Sequence, residues 1–308
     1  MVLTDSYGRP LLNLRIAVTR RCNLLCEYCH MEGEALQSGA AKEMTAAEII
    51  RIVKIAVELG ISRVKLTGGE PLVREDITQI VRGIADLSGL TDLSMTTNGT
   101  SLSVLAEELY VNGLKRVNVT LPTLDRVVYS KLTGGSIEPV LEGVKVAVKA
   151  GFCPVKLNML ILRDENDDAI PEMMQFAADT GAVLQLIELE PLNVSGDFYS
   201  KHHKPLGDYE KMLGSKATAI ETRRFMQNRH VYRLPNVRVE TIQPTENAEF
   251  CEHCTRLRVT SDGKLKPCLM TNNGLVDLLT PMRNGASDEE LTELFKLANL
   301  KRQPYNKR

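Results

Sequence analysis

Six of the seven cysteines fall into two tight triplets, and their spacing is the first feature of this chain that could do chemistry. Cys22, Cys26 and Cys29 stand as C-x3-C-x2-C within Arg20-Arg21-Cys22-Asn23-Leu24-Leu25-Cys26-Glu27-Tyr28-Cys29-His30. Three thiolates on one loop hold three irons of a [4Fe–4S] cluster and leave the fourth iron open to a ligand. A zinc knuckle completed by His30 is the alternative, although zinc sites usually pair cysteines as C-x2-C. Cys251, Cys254 and Cys268 form the second triplet, again without a cysteine fourth. Zinc with His253 is the alternative there, but that residue lies inside the C-x2-C loop and would strain to reach the same metal. Arg256 and Arg258 follow at strand spacing, two cations on one face beside the triplet. The seventh, Cys153, precedes Pro154 and an apolar run and reads as a small core residue.

These groups need a scaffold. Apolar residues make up 43% and charged residues 25%, the balance of a soluble protein with a sizeable core. With 38 Lys and Arg against 39 Asp and Glu, a net charge of -1 argues against a broad nucleic-acid or acidic-membrane surface. A local basic pocket is still allowed. No apolar run is long enough to span a bilayer, and the first thirty residues lack a secretory pattern. A cytoplasmic enzyme with reduced thiols is the expectation.

Strand patterns cover Leu14–Thr19, Arg63–Thr67, Asp92–Thr97, Arg116–Thr120, Val155–Leu160 and Leu184–Glu188. Between them, Thr45 with Glu48 forms a capping box opening a helix to about Leu59 and Gly60. Asp76 is a cap for Ile77–Leu87, Ser101 or Ser103 for a segment ending near Asn112–Gly113, and Asp167 or Asp168 for one running to Thr180–Gly181. Pro139–Ala150 stops at Gly151. Six strands alternating with five helices predict an α/β parallel sheet with right-handed crossovers. The pattern allows an open, partial (βα)6 barrel of TIM type or a flat doubly wound sheet.

Past Glu190 the pattern changes. Pro191–Pro205 reads as a polar loop, His230–Leu234 and Val237–Thr241 as a hairpin, and Ser287 with Glu290 caps a helix to about Ala298. The expected division is residues 1–190 for the barrel and 191–308 for an extension with hairpin, second triplet and terminal helix. The pairs His202–His203 and Arg223–Arg224 read as solvated surface.

Alternation puts Arg63, Lys65 and Thr67 on one strand face, and Lys156 and Asn158 on another, with Arg15 in the first strand. A barrel lined with these cations suits a polyanion such as a nucleotide triphosphate. Gly68-Gly69-Glu70-Pro71 lets backbone approach a ligand and offers a carboxylate to an ammonium group. This turn, Thr96-Thr97-Asn98-Gly99 and Thr120 all lie at C-terminal strand ends, where barrel enzymes place their sites.

The C-x3-C-x2-C loop after the first strand, with the Gly-Gly-Glu turn after the second, resembles the radical S-adenosylmethionine (SAM) superfamily. The block Cys251-x2-Cys254-Thr255-Arg256-x-Arg258, then Ser261-Asp262-Gly263-Lys264 and Cys268, resembles more specifically the archaeal-type GTP 3',8-cyclase family of molybdenum-cofactor biosynthesis. The resemblance covers nearly the whole chain from about Tyr7. It implies a lyase that cleaves SAM reductively to a 5'-deoxyadenosyl radical. That radical would abstract hydrogen from ribose C3' of GTP, and the C3' radical would attack guanine C8. It implies two [4Fe–4S] clusters, one on Cys22, Cys26 and Cys29 and one on Cys251, Cys254 and Cys268. Tyr28, Gly69, Glu70 and Thr120 would contact SAM, with Thr97 and Asn98 nearby. Arg15, Lys65, Thr96, Lys156 and the Arg256-Leu257-Arg258 segment would bind GTP, with Arg256 and Arg258 the catalytic pair. Implied partners are an electron donor and a downstream cyclic pyranopterin monophosphate synthase, with no nucleic acid or membrane, and a homodimer is compatible.

The chain departs from that family in places. Lys65 and Gln185 stand where many members carry Arg, and Thr120-Leu121-Pro122 replaces Ser-Leu-Asp. The sequence closes on Pro304-Tyr305-Asn306-Lys307-Arg308 without a double glycine. Competing readings are a radical SAM peptide or protein maturase with an auxiliary cluster, and a non-enzymatic iron–sulfur sensor. The first usually carries more cysteines in its C-terminal region, and the second lacks a helix-turn-helix or basic arm here.

Overall fold

The computed structural model describes residues 2–34 and 43–306. Six strands form where the apolar alternation places them: β1 (Asn13–Ala17), β2 (Arg63–Thr67), β3 (Asp92–Thr97), β4 (Arg116–Thr120), β5 (Val155–Ile161) and β6 (Val183–Glu188). Each is parallel to the next. Their spatial order is their sequence order, with no reversal. Right-handed crossovers then all fall on one face of the sheet, whereas a doubly wound sheet must reverse its order at a switch point. That decides for the open partial barrel.

The crossover helices are α1 (Ala46–Glu58), α2 (Ile77–Ala85), α3 (Leu102–Val111), α4 (Arg126–Thr133), α5 (Glu138–Ala150) and α6 (Ile170–Thr180). Their apolar faces bury Ile49, Ile52, Ile80, Ile84, Val140 and Val144 against Val64, Leu66, Val117 and Leu157 of the strands. The other strand face carries Lys65, Asn118 and Lys156, so alternation separates a greasy helix side from a charged concave side.

Beyond β6 come α7 (Gly196–His202), α8 (Gly207–Lys216), β7 (Ala219–Arg223), β8 (Arg229–Arg233), β9 (Arg238–Ile242), α9 (Ala248–Glu252), β10 (Arg256–Val259), β11 (Lys264–Lys266), β12 (Val276–Asp277), α10 (Leu279–Arg283) and α11 (Asp288–Leu300). The β8–β9 hairpin forms as expected. The sheet then grows at both edges, because β9 pairs in parallel with β6 and β10 in parallel with β1. Among the described residues, no helix is long and apolar enough to cross a membrane.

The capping boxes of Thr45 with Glu48 and Ser287 with Glu290 both form. Other expectations need correction. Asp76 occupies the N-cap of α2 without capping it, because Arg74 takes both carboxylate oxygens at 2.8 and 2.7 Å. Ser101 likewise makes no cap bond, and Asp167 pairs with Lys204 while α6 opens later, at Ile170. The polar Pro191–Pro205 stretch contains α7, whose first turn is capped by Ser195 accepting from Phe198 N–H at 3.1 Å. α4 escaped the sequence pattern because it is one short turn pair, capped by Asp125 on Val127 and Val128 N–H. Cys153 is exposed rather than core, since its neighbour Phe152 takes the buried position. The histidine pair is not solvated: His202 is buried, and His203 Nε2 meets Glu188 Oε1 at 2.8 Å.

Candidate active site

The first triplet sits directly above the end of β1. Leu25 N–H donates to Thr133 O at 2.9 Å and Glu27 N–H to Leu132 O at 3.1 Å, which pins the cysteine loop to the end of α4. Beneath it runs the Gly68-Gly69 turn, where Gly69 N–H donates to Thr19 O and Glu70 N–H to Arg21 O, each at 2.8 Å. The fit is so close that a Cβ at Gly68 would collide with the Thr19 carbonyl oxygen, and one at Gly69 with that of Arg21. Gly68 also has φ of +145°, a conformation L side chains rarely adopt.

All three thiols are free. Burial, with Cys29 and Cys22 alongside, pushes the Cys26 thiol up to about 12, and burial also raises Cys29. Thiols packed to repel one another as thiolates fit a group that brings positive charge to all three. Among the described residues, no group of three His, Cys, Asp or Glu is arranged around a single metal ion. His30 Nδ1 instead accepts from Glu32 N–H at 3.0 Å, and His253 Nδ1 lies 3.0 Å from Glu249 O. The three-thiol donor set suits an iron–sulfur cluster at each triplet.

The second triplet reaches the same place through strand pairing. β10 lies beside β1 with Asn13 opposite Arg256 and Arg15 opposite Arg258. Cys251 lies in the last turn of α9, Cys254 two residues before β10 and Cys268 two residues after β11. Burial pushes the Cys254 thiol up, but Arg302 and Arg256 outweigh it and hold the thiol below its usual value.

Between the triplets lies a cavity of about 840 Å³. Its wall contains all six cysteines and Tyr28, Gly69, Thr97, Asn98 and Thr120. Arg15, Lys65, Thr96, Lys156, Arg256 and Arg258 line it as well. Two expected residues do not. Leu257 points to the opposite face of β10 and is wholly buried in the core, as alternation between two inward arginines requires. Glu70 is also wholly buried; its carboxylate accepts from Thr97 Oγ1 at 2.7 Å, Asn98 N–H at 2.6 Å and Leu72 N–H at 3.0 Å. It ties the ends of β2 and β3 together behind the wall.

Twelve Lys and Arg side chains face six Asp and Glu across this cavity. Some cations are neutralised. Arg258 Nη1 donates to Glu32 Oε2 at 2.7 Å, with Arg15 3.6 Å from the other oxygen. Lys156 pairs with Glu240, which also lies 3.5 Å from Arg229 and 3.6 Å from Arg223. Others are not. Among the described residues Lys65 donates only to the neutral Asn118 Oδ1 at 2.6 Å, and burial, with Arg15, Arg116 and other cations around it, holds its pKa well below the usual lysine range. Burial, with Arg229, Arg15 and Arg258, does the same to Arg256. The Thr96 hydroxyl is buried without a hydrogen-bond partner. Gln185 donates to Glu240 at 2.7 Å and accepts from Asn118 at 2.7 Å, so it organises neighbours where an arginine would add charge.

Glu32, Glu240, Arg229 and Arg223 were not identified from the sequence as cavity residues. Arg223 is the correction to the solvated reading of Arg223–Arg224. The inward alternation of Arg238 and Glu240 was a usable signal, but only once β9 is known to pair with β6, where Gln185 faces Glu240.

Residues 16–177 match the radical SAM superfamily and residues 182–308 match Molybdenum Cofactor Synthesis C. A probable GTP 3',8-cyclase of Thermococcus kodakarensis is 49% identical over 311 residues, covering 99% of both chains. A protein of the same name from Methanocaldococcus jannaschii is 42% identical over 306 residues, again covering 99% of both. Among solved structures, Streptococcus suis SuiB bound to S-adenosylmethionine superposes with a TM-score of 0.65 at 18% identity, covering 94% of this chain and 67% of that one. With its precursor peptide SuiA bound, SuiB gives 0.63 at 18% identity over 87% of this chain, which spans 61% of that one. Native anSMEcpe with bound AdoMet gives 0.58 at 18% identity over 85% of this chain and 75% of that one. These structures share the fold. The full-length relatives settle the lineage: the chain belongs to the radical SAM superfamily, in its GTP 3',8-cyclase family.

Proposed function

We propose that this chain is a GTP 3',8-cyclase, with residues 1–190 as the radical-generating domain and 191–308 as the extension that anchors the nucleotide. The observation that carries the reading is the pairing of two thiol triplets across one cavity whose wall holds the half-buried cations Lys65 and Arg256, neither paired with a carboxylate among the described residues. Buried cations without counterions are costly, and a bound polyanion relieves that cost.

Cys22, Cys26 and Cys29 would hold one cluster, and Cys251, Cys254 and Cys268 the other. A reduced cluster with SAM supplies, when bound, a 5'-deoxyadenosyl radical that abstracts hydrogen, here from ribose C3'. The chain's own contribution is position and charge. Tyr28, Gly69, Thr97, Asn98 and Thr120 form the SAM wall, and Glu70 supports it from behind by fixing Thr97 and Asn98. Lys65, Lys156 and Arg15 receive the triphosphate, and the Thr96 hydroxyl is free to bond it. Arg256 and Arg258, beside the second triplet, hold the guanosine end. Anchoring one end of the substrate while the radical is delivered to the other makes the reaction effectively unimolecular. An external electron donor would serve the first cluster, and a cyclic pyranopterin monophosphate synthase would take the product.

The test uses anaerobically reconstituted protein with SAM and a strong reductant, offered GTP, ATP or a peptide. 5'-Deoxyadenosine that rises with GTP alone supports the reading. Formation that follows the peptide and ignores GTP overturns it in favour of a maturase.

A further inference from the structure

The two ends of the chain meet at the second triplet. Arg9 Nη1 donates to the Cys251 carbonyl at 2.9 Å, and Arg302 Nη2 donates to the Cys254 carbonyl at 2.6 Å. Each cysteine of the C-x2-C pair is thus gripped through its backbone by a different guanidinium. The two arginines are tied to each other, since Arg302 Nη1 donates to the Arg9 carbonyl at 3.3 Å. Asp5 joins both: it accepts from Arg9 Nε at 2.8 Å and lies 3.4 Å from Arg302 Nη1. Asn299 accepts from Arg302 at 3.1 Å and donates to the Thr4 carbonyl at 3.0 Å. After this clamp the chain turns back over the triplet, where Asn306 N–H donates to Cys251 Sγ at 3.4 Å.

Side-chain exposure is 0% for Asp5 and 1% for Arg302. Burying two guanidiniums and one carboxylate leaves a net positive charge beside the thiols. Apolar side chains would join two chain ends at lower desolvation cost. What the guanidiniums add is donation in fixed directions and charge.

We infer that Arg9 and Arg302, held by Asp5, are positioning residues that fix Cys251 and Cys254 for the second cluster and favour its reduced form. This rests on the reading that the second triplet holds a cluster. A buried cation stabilises the more negative oxidation level, and N–H donation to a ligating sulfur acts in the same direction.

The test uses the full chain with Cys22, Cys26 and Cys29 replaced by Ala, reconstituted anaerobically, so that only the second cluster reports. Arg302→Met should move its midpoint potential to more negative values and change its electron paramagnetic resonance signal. In the iron-free protein, the backbone amides of residues 251–255 should exchange with deuterium about tenfold faster, as expected when local opening becomes easier. Arg302→Lys should restore most of the potential, which follows charge, and little of the protection, which follows the two-pronged geometry. Arg9→Met is read the same way and replaces Arg302→Met if that variant does not fold. Unchanged potential and unchanged amide exchange in the Met variants would overturn the inference. A parent protein that binds no iron at the second triplet overturns the cluster reading itself. Failure of GTP turnover in the native chain touches only the substrate assignment.

Discussion

Arg258 Nη1 lies 2.7 Å from Glu32 Oε2, joining the strand between Cys254 and Cys268 of the second triplet to the loop after the first. The link does not stand alone. Glu34 accepts from Ser261 N–H at 2.8 Å and Ser261 Oγ at 2.6 Å, and Lys266 Nζ donates to Gly33 O at 2.8 Å. Glu32 itself has a left-handed backbone with φ of 51°, which a side chain other than glycine adopts only under constraint. The loop that follows the first triplet is therefore built against the strands that lie within the second.

Glu32→Gln should expose how much that junction matters. Burial raises the carboxyl, yet Arg15 and Arg258 overcome it and hold its pKa at about 2, against 4.5 ordinarily. A depressed acid stabilises the fold above its unfolded value, and the contribution disappears as pH falls from about 4.5 towards 2. The Gln variant should lose about 3 kcal/mol at neutral pH, since two buried arginines lose their partner. Its denaturation should also show a flatter pH dependence across that acid window, measurable by urea titrations at several pH values.

From the proposed role of Lys156 in holding the triphosphate, an alkaline limit on substrate binding is expected. Burial brings its pKa down to about 8, partly opposed by Glu240. Above about 8 the amine loses its proton and its attraction for phosphate, so the KM for GTP should rise with pH there. Lysine with a lowered folded pKa also makes stability rise with pH between about 8 and 10.5, because the unfolded chain binds the extra proton. Lys156→Arg should move the KM rise to higher pH while leaving its value at pH 7 within a few-fold.

Gly69→Ala tests the seat of the first loop. Its new methyl would meet the Arg21 and Arg20 carbonyl oxygens, which cannot yield without lifting the cysteine loop. We expect a loss of about 2 kcal/mol in stability and weaker SAM binding, measured by thermal denaturation and by calorimetry. Ala at the solvent-facing Gly207, with nothing near its position, is the control and should change neither.

Arg256→Met should separate stability from function. The half-buried guanidinium lies near Arg229, Arg15 and Arg258, so removing it relieves repulsion and desolvation. The variant should melt no lower than the native chain, and be about 1 kcal/mol more stable. It should keep iron at both triplets and lose about 100-fold in kcat/KM for GTP. Iron loss instead would show that the residue is structural.

The strands and the inward cations were legible because period-two alternation is strong in a sheet with one greasy and one charged face. Arg63–Thr67 and Arg116–Thr120 were bounded to the residue. The cysteine spacings carried the chemistry, since few uses fit three thiols on a short loop. What escaped reading depends on partners distant in sequence. Asp76 has the composition of a cap but serves Arg74, and Glu240 joins the cavity only through a parallel pairing over fifty residues away. Glu32 sits in a loop without periodicity, and its role follows from an arginine 226 positions later. Leu257 belonged to a matching motif, but strand alternation sends its side chain into the core.

On the proposed reading, the cavity holds GTP with its ribose towards the first triplet and its base towards the second. The most direct measurement uses GTP deuterated at C3', with reconstituted protein, SAM and reductant, and mass spectrometry of both products. Deuterium should appear in 5'-deoxyadenosine and be missing from a 3',8-cyclised nucleotide, with both products absent from a Cys22→Ala variant. Undeuterated 5'-deoxyadenosine formed without the cyclised nucleotide would contradict that reading.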